Sequence, residues 1–140
     1  MDWTLEVVVV PVASQDGGVD RAIAFYRDQL GFHLDHHTKT ADMNFAQLTP
    51  PGSGCSIVIG ELPGGPAMAT GSLKGLQLVV ADAYRARDEL LARGVDVGEM
   101  QVLDGRDGGT LFGFADPDGN TWMAQQIKAR ADQPLLGRQG

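Results

Sequence analysis

Cysteine is almost missing from this chain, with Cys55 the only one in 140 residues. It has no partner for an intrachain disulfide, and no Cys-x-x-Cys or zinc-type spacing surrounds it. Covalent staples and structural zinc are therefore excluded, and a reducing compartment, the cytoplasm, is the expected setting. Long apolar runs are missing too. The longest, residues 7–13, is far short of the ~20 residues a membrane helix needs, so no membrane role is expected. Met1 leads into a strand-like run containing Glu6, without the basic stretch and cleavage site of a secretory leader. Basic charge is scarce: 11 Lys and Arg face 18 Asp and Glu, for a formal charge of −7. That balance argues against a nucleic-acid partner and weakly favours cationic ligands. Gly-x-Ser-x-Gly, a phosphate-binding Gly-Lys-Ser/Thr loop and a histidine close to Cys55 are all absent, which removes the usual signatures of serine-hydrolase, nucleotide and cysteine-nucleophile chemistry.

What is present is 43% hydrophobic residues, enough for one core, and 19 glycines placed at turns. Residues 5–12 are rich in β-branched side chains and fit a strand. Val19, Ala22, Ile23, Tyr26 and Leu30 then recur at helical spacing until Gly31. Residues 32–37, 43–49 and 55–60 fit three further strands. After a Pro/Gly-rich linker over 61–72 the order starts again. Residues 76–80 fit a strand, Asp82 a helix N-cap, and Ala83, Ala86, Arg87, Leu90 and Leu91 a helix that Gly94 ends. Residues 95–103, 110–115 and 120–126 supply three more strands. The last two join through Asp116-Pro117-Asp118-Gly119, a turn in which proline presets φ and glycine accepts a positive one. Residues 128–140, polar apart from Leu135 and Leu136, form a tail or an arm across a neighbour.

Two β-α-β-β-β units, with Arg21-Ala-Ile-Ala-Phe-Tyr-Arg-Asp-Gln-Leu-Gly-Phe in the first and Asp116-Pro-Asp-Gly-Asn in the second, resemble the vicinal oxygen chelate superfamily. That group includes glyoxalase I, extradiol dioxygenases and bleomycin-type resistance proteins. The resemblance covers residues 5–127. It implies an α+β fold in one domain, 1–127, whose two βαβββ modules (3–60 and 73–127) form a curled mixed sheet around a cup-shaped cavity, with a homodimer as the expected assembly.

The resemblance also implies where a metal would sit: one His or Glu on the first and last strand of each module. Those places hold Val7, Val58, Leu76 and Met123. Hydrocarbon cannot ligate, and thioether suits mainly copper. A shift of one residue, to Val8, Ile57, Ile59, Gln77, Trp122 or Ala124, restores no His/Glu set, and Glu6 lies one residue off its place. No metal and no cofactor are expected.

Alternation along the strands assigns Val7, Val9, Phe45, Gln47, Ser56, Val58, Leu76, Met123 and Gln125 to the cup, with Leu5, Leu78 and Thr121 on the same faces. Trp122 and Phe112 either stack on a planar ligand or fill the core. His33, His36 and His37 share the second strand, where a regular pleat points His36 and His37 to opposite faces. They are solvated strand residues, or the cup-facing one, taken as His37, carries protons near neutral pH. The expected function is binding of an apolar or planar metabolite or antibiotic without metal. The alternative is a metal-independent isomerase, lyase or cyclisation enzyme, with Glu6, Asp35, His36, His37 or Asp42 as acid or base and Gln47 and Gln125 positioning a carbonyl. A third reading, a metal-dependent glyoxalase or dioxygenase, requires bound Zn, Ni, Mn or Fe. In the Gly105–Gly109 loop, Arg106 meets an anionic ligand group or is simply solvated.

Overall fold

The unit seen twice in the sequence is repeated in space in the computed structural model, which describes residues 1–61 and 68–131. Part of the linker (62–67) and the tail containing Leu135 and Leu136 lie outside the described residues. Strand β1 (Val7–Val10) is followed by helix α1 (Gly18–Ile23), which continues directly into a π-helical stretch, Ala24–Gln29. Strands β2 (His33–Lys39), β3 (Asn44–Thr49) and β4 (Ser56–Glu61) complete the first unit. The second comprises β5 (Leu76–Val80), helix α2 (Ala83–Ala92), β6 (Gln101–Val102), β7 (Thr110–Ala115) and β8 (Thr121–Gln126). The side chain of Asp82 caps α2 by accepting from the Arg85 N–H at 3.1 Å. A short 3₁₀ turn, Lys128–Ala131, follows β8.

Each unit forms its own four-stranded sheet, in the orders β1-β4-β3-β2 and β5-β8-β7-β6. The first-named pair of each is parallel and the rest antiparallel. The expected strand over 95–103 is reduced to Gln101–Val102 plus a single bridge from Val97 to Phe114. Its ladder is interrupted at Gly98, whose N–H still reaches the Gly113 carbonyl at 2.8 Å, while its own carbonyl accepts from the Arg87 guanidinium at 2.8 Å.

Every sheet buries one face against its helix. In the first, Val10, Ala46, Leu48, Ile57 and Ile59 meet Val19, Ala22, Ile23 and Tyr26; in the second, Phe112, Phe114, Trp122 and Ala124 meet Ala83 and Leu90. Each large apolar side chain buried this way contributes roughly 1.5–3 kcal/mol relative to exposure. Both sets belong to one continuous core. The sheets therefore turn their helix-covered faces toward each other and their other faces outward.

The Asp116–Gly119 turn joins the two units. Gly119, at φ 98°, closes it with an N–H to Asp116 carbonyl bond of 3.1 Å. The buried Asp116 carboxylate accepts from the Tyr26 hydroxyl at 2.6 Å, the Asn120 amide at 2.8 Å and the backbone N–H groups of Asp118 and Asn120. Trp122 Nε1 donates to the Tyr26 oxygen at 3.0 Å. Asn120 reaches the Pro11 carbonyl at 2.9 Å, and Asp118 accepts from the Ala13 N–H at 3.2 Å. Burial, and then the neighbouring Asp116 charge, push the Tyr26 phenol far above its ordinary pKa, so it remains a donor at any working pH. Gly71 fits against the same turn, where a Cβ would fall 2.0 Å from the Asp118 carbonyl oxygen.

Replacing Tyr26 by Phe leaves the indole N–H of Trp122 buried without its acceptor. The expected loss is about 1–3 kcal/mol, read from the midpoint of urea unfolding with an unchanged m-value.

Candidate functional site

The outward faces hold most of the candidate site residues. On the first sheet, β1–β4 pairing sets Val7 beside Ser56 and Val9 beside Val58, and Gln47 pairs with Val58 on the other side. Val7, Val9, Phe45, Gln47, Thr49, Ser56 and Val58 thus share the face away from α1. Ser56 and Val58 lie buried on the central strand, while Val7 on the edge is 42% exposed.

Strand β2 adds to this face through a bulge. Its register shifts between Leu34 and His36: Leu34 pairs with Leu48 on the helix side, and His36 pairs with Gln47 on the open side. The extra residue, Asp35, leans to the open side too, because one inserted residue interrupts the alternation. Thr49 donates to Asp35 Oδ2 at 2.5 Å, Gln47 Nε2 donates to the same oxygen at 3.2 Å, and His33 Nδ1 donates to Oδ1 at 2.8 Å. Since the single Thr49 proton is used on Asp35, the Thr49–Ser56 contact of 2.7 Å has Ser56 as donor. Five side chains from three strands form one connected polar group. The bonds from Thr49 and then His33 hold the Asp35 carboxyl below the usual carboxylate range. His36 stands edge-on to Phe45, with ring centroids 5.9 Å apart.

On the second sheet, Gln77 pairs with Met123 and Val79 with Gln125, so these four share the face away from α2. Gln77 donates to Gln125 Oε1, and Gln125 donates to the Gly108 carbonyl at 2.8 Å. Met123 sits over Gly113, where a Cβ would meet its sulfur at 3.3 Å. Residues of the 103–109 loop and Gln125 line an open cleft of about 300 Å³. Arg106 in that loop is paired with Asp104 at 2.9 Å.

Several sequence-assigned positions move. Leu76 and Leu78 pair with Trp122 and Ala124, on the helix side of the second sheet. The residue facing the open side opposite Met123 is Gln77, one step along. Phe112 and Trp122 are buried in the core, Phe112 completely, so of the two alternatives they take core packing. Trp122 lies parallel to Phe114 at 6.3 Å and close to Tyr26 and Phe32. His37 pairs with Ala46 on the helix side and bonds Asn44 at 2.7 Å. The open-face histidines are His33 and His36. The bulge that decides this has no signature in the sequence, and neither does the grouping of Thr49 and Ser56 with Asp35.

A metal held in the manner of metal-dependent relatives does not fit these residues. The first and last strands of the two modules offer Val7, Val58, Gln77 and Met123 to the open faces, and none is a hard-cation ligand except a neutral amide. Among the described residues no three His, Cys, Asp or Glu converge. No described helix is long and apolar enough to cross a membrane.

The model of the glyoxalase/bleomycin resistance protein/dioxygenase superfamily matches residues 8–124. Comparison with curated proteins gave no match. Among solved structures, the chain is similar to TnmS3, an antibiotic binding protein from Streptomyces sp. CB03234, with 29% identity and a TM-score of 0.72 over 90% of this chain and 97% of that one. It is similar to a glyoxalase/bleomycin resistance protein from the same organism, with 30% identity and a TM-score of 0.70 over 88% and 100%. A superfamily member from Sphaerobacter thermophilus shares the fold at 23% identity, with a TM-score of 0.67 over 89% and 98%.

The depressed Asp35 pKa has a defined sign. Stability from its ionised form is present above the unfolded value, about 3.9, and is lost as pH falls through the lower folded one. Carboxyl-detected NMR titration should find Asp35 below that reference, and Thr49→Val should move it upward. An unshifted value in the native protein would contradict the hydrogen-bonded arrangement.

Proposed function

The chain belongs to the glyoxalase/bleomycin resistance protein/dioxygenase superfamily, and from that premise we propose that it is a metal-independent binding protein for an apolar or planar metabolite or antibiotic, acting in the cytoplasm. The observation that carries the reading is the makeup of the two open faces: valines, a phenylalanine and a methionine with a few fixed polar groups, and no hard-cation donor set where relatives would hold a metal. A mostly apolar lining with sparse oriented polar groups is the usual character of a small-molecule pocket. TnmS3, an antibiotic binding protein, supports the same reading by similarity. The proposed lining is Val7, Val9, Phe45, Gln47, Ser56 and Val58 from the first sheet, with Gln77, Val79, Met123 and Gln125 from the second.

Within one chain these faces point away from each other, so each is half of a cup, and a second copy of the chain supplies the other half in this proposal. Both β1 and β5 are edge strands. Each carries an apolar residue, Val7 at 42% and Val79 at 41% exposure, and Trp3 and Leu5 ahead of β1 are more exposed still. Unpaired edges with apolar side chains favour further strand association. A two-fold dimer that joins the first sheet of one protomer to the second sheet of its partner makes two equal cups.

A second reading, a metal-independent isomerase or lyase, draws on the Asp35–His33 pair. It is weaker, because a carboxylate held by three donors has a lowered basicity.

Titration with planar hydrophobic compounds is expected to change Trp3 emission and raise the melting temperature, with about 2.7 kcal/mol of stabilisation at a ligand concentration 100 times Kd. Prior dialysis against EDTA should leave both responses intact. A broad panel that alters neither signal would remove the basis for the binding reading. Sedimentation velocity should give twice the 14.9 kDa chain mass, and the double variant Val7→Asp, Val79→Asp should sediment as a folded monomer.

A further inference from the structure

The polar groups of the first open face are concentrated at one point, and that point is an anion. Asp35 keeps 25% of its side chain accessible, while Thr49, Gln47 and His33 fix its orientation from two strands. Ser56 adds a fourth link through Thr49. Among the described residues, its ionisable partner within 4 Å is His33, whose own side chain is 78% exposed. No Lys or Arg balances it there. Among the described residues, the other side chains that the pairing places on this face are Val7, Val9, Phe45 and Val58, with His36 edge-on to the Phe45 ring.

A carboxylate with so little compensation is tolerable on an open face, where water solvates it. Once the cup closes over a ligand the same charge is desolvated, and two neutral donors with one exposed histidine supply no fixed counter-charge to offset that cost. The arrangement makes sense if the ligand brings the counter-charge. The chain's net charge of −7 draws cations toward the cup over longer range.

We propose that Asp35 is the charge anchor of the cup and that the ligand class is a planar or apolar body bearing a cationic N–H group. This inference rests on the reading of the open faces as a ligand cup. The flat body lies against Val9, Val58 and Phe45, and the N–H of the cation donates to the Asp35 carboxylate. Thr49 and His33 act as positioning residues that hold the carboxylate toward the cup, and Gln47 does so from within the proposed lining.

The test uses two planar probes of nearly equal shape, 9-aminoacridine, a cation at pH 7.5, and acridine, its neutral counterpart. Affinities for the full-length protein are measured by fluorescence titration and calorimetry. Wild type should prefer the cation by about tenfold or more, as expected for a hydrogen bond to a charged group. Asp35→Asn should abolish that preference while leaving acridine affinity near wild type, and Asp35→Ser should do the same, with circular dichroism confirming that both variants are folded at pH 7.5. Thr49→Val, which keeps the carboxylate, should retain most of the preference. Equal binding of both probes by wild type, or a preference that survives in Asp35→Asn, overturns the anchor and leaves the cup standing. A parallel loss of both probes in Asp35→Asn would mark a structural role and also overturn it. If neither probe binds wild type, the cup reading fails and the anchor with it.

Discussion

The buried Asp116 carboxylate is the constraint on which the arrangement of this protein depends. It lies in the tight turn of the second unit, yet its hydrogen bonds reach Tyr26 of the first, and its neighbour Asn120 reaches Pro11. A buried anion must be satisfied by several donors, and here those donors come from both halves of the chain. Meeting that requirement fixes one unit against the other. Tyr26 contributes twice, giving its proton to Asp116 and accepting the indole proton of Trp122.

That seam has a consequence for the open faces. Because the helix-covered faces of the two sheets merge into one core, the uncovered faces must point outward. Among the described residues, the β1 and β5 edges have no partner strand. Apolar side chains at those edges, and uncharged but oriented amides and hydroxyls further in, suit a pocket completed by association. The two open faces also differ in chemistry. The first centres on Asp35 and its donors, whereas the second is a line of amides, from Gln77 to Gln125 to Gly108, beside Met123. A cup made of one of each face would be polar at one point and soft and apolar over most of its area.

The errors in assigning the site from sequence all concern which side of a strand a residue occupies. Alternation along the strand assigns Leu76 to the cup, but β5 pairs with β8 so that Gln77, not Leu76, stands beside Met123. One residue reverses the face. His37 leaves the cup for a related reason: the bulge at Asp35 shifts the alternation, so His36 joins the open face and His37 the other. Trp122 and Phe112 were ambiguous because a large aromatic residue suits a stacking surface and a core equally well. Both are buried in the core, Phe112 beside Phe114 and Trp122 against Tyr26 and Phe32 of the other unit.

Local chemistry was enough to establish the repeated β-α-β-β-β order, the Asp82 cap and the tight turn at Asp116, since each depends on side chains a few residues apart. Strand register, the bulge, the gathering of Thr49 and Ser56 around Asp35, and the bond from Tyr26 to a carboxylate 90 residues away were decided by the tertiary structure alone. These depend on which strands lie side by side and on how the two units satisfy each other's buried polar groups, and no short-range pattern in the chain encodes that choice.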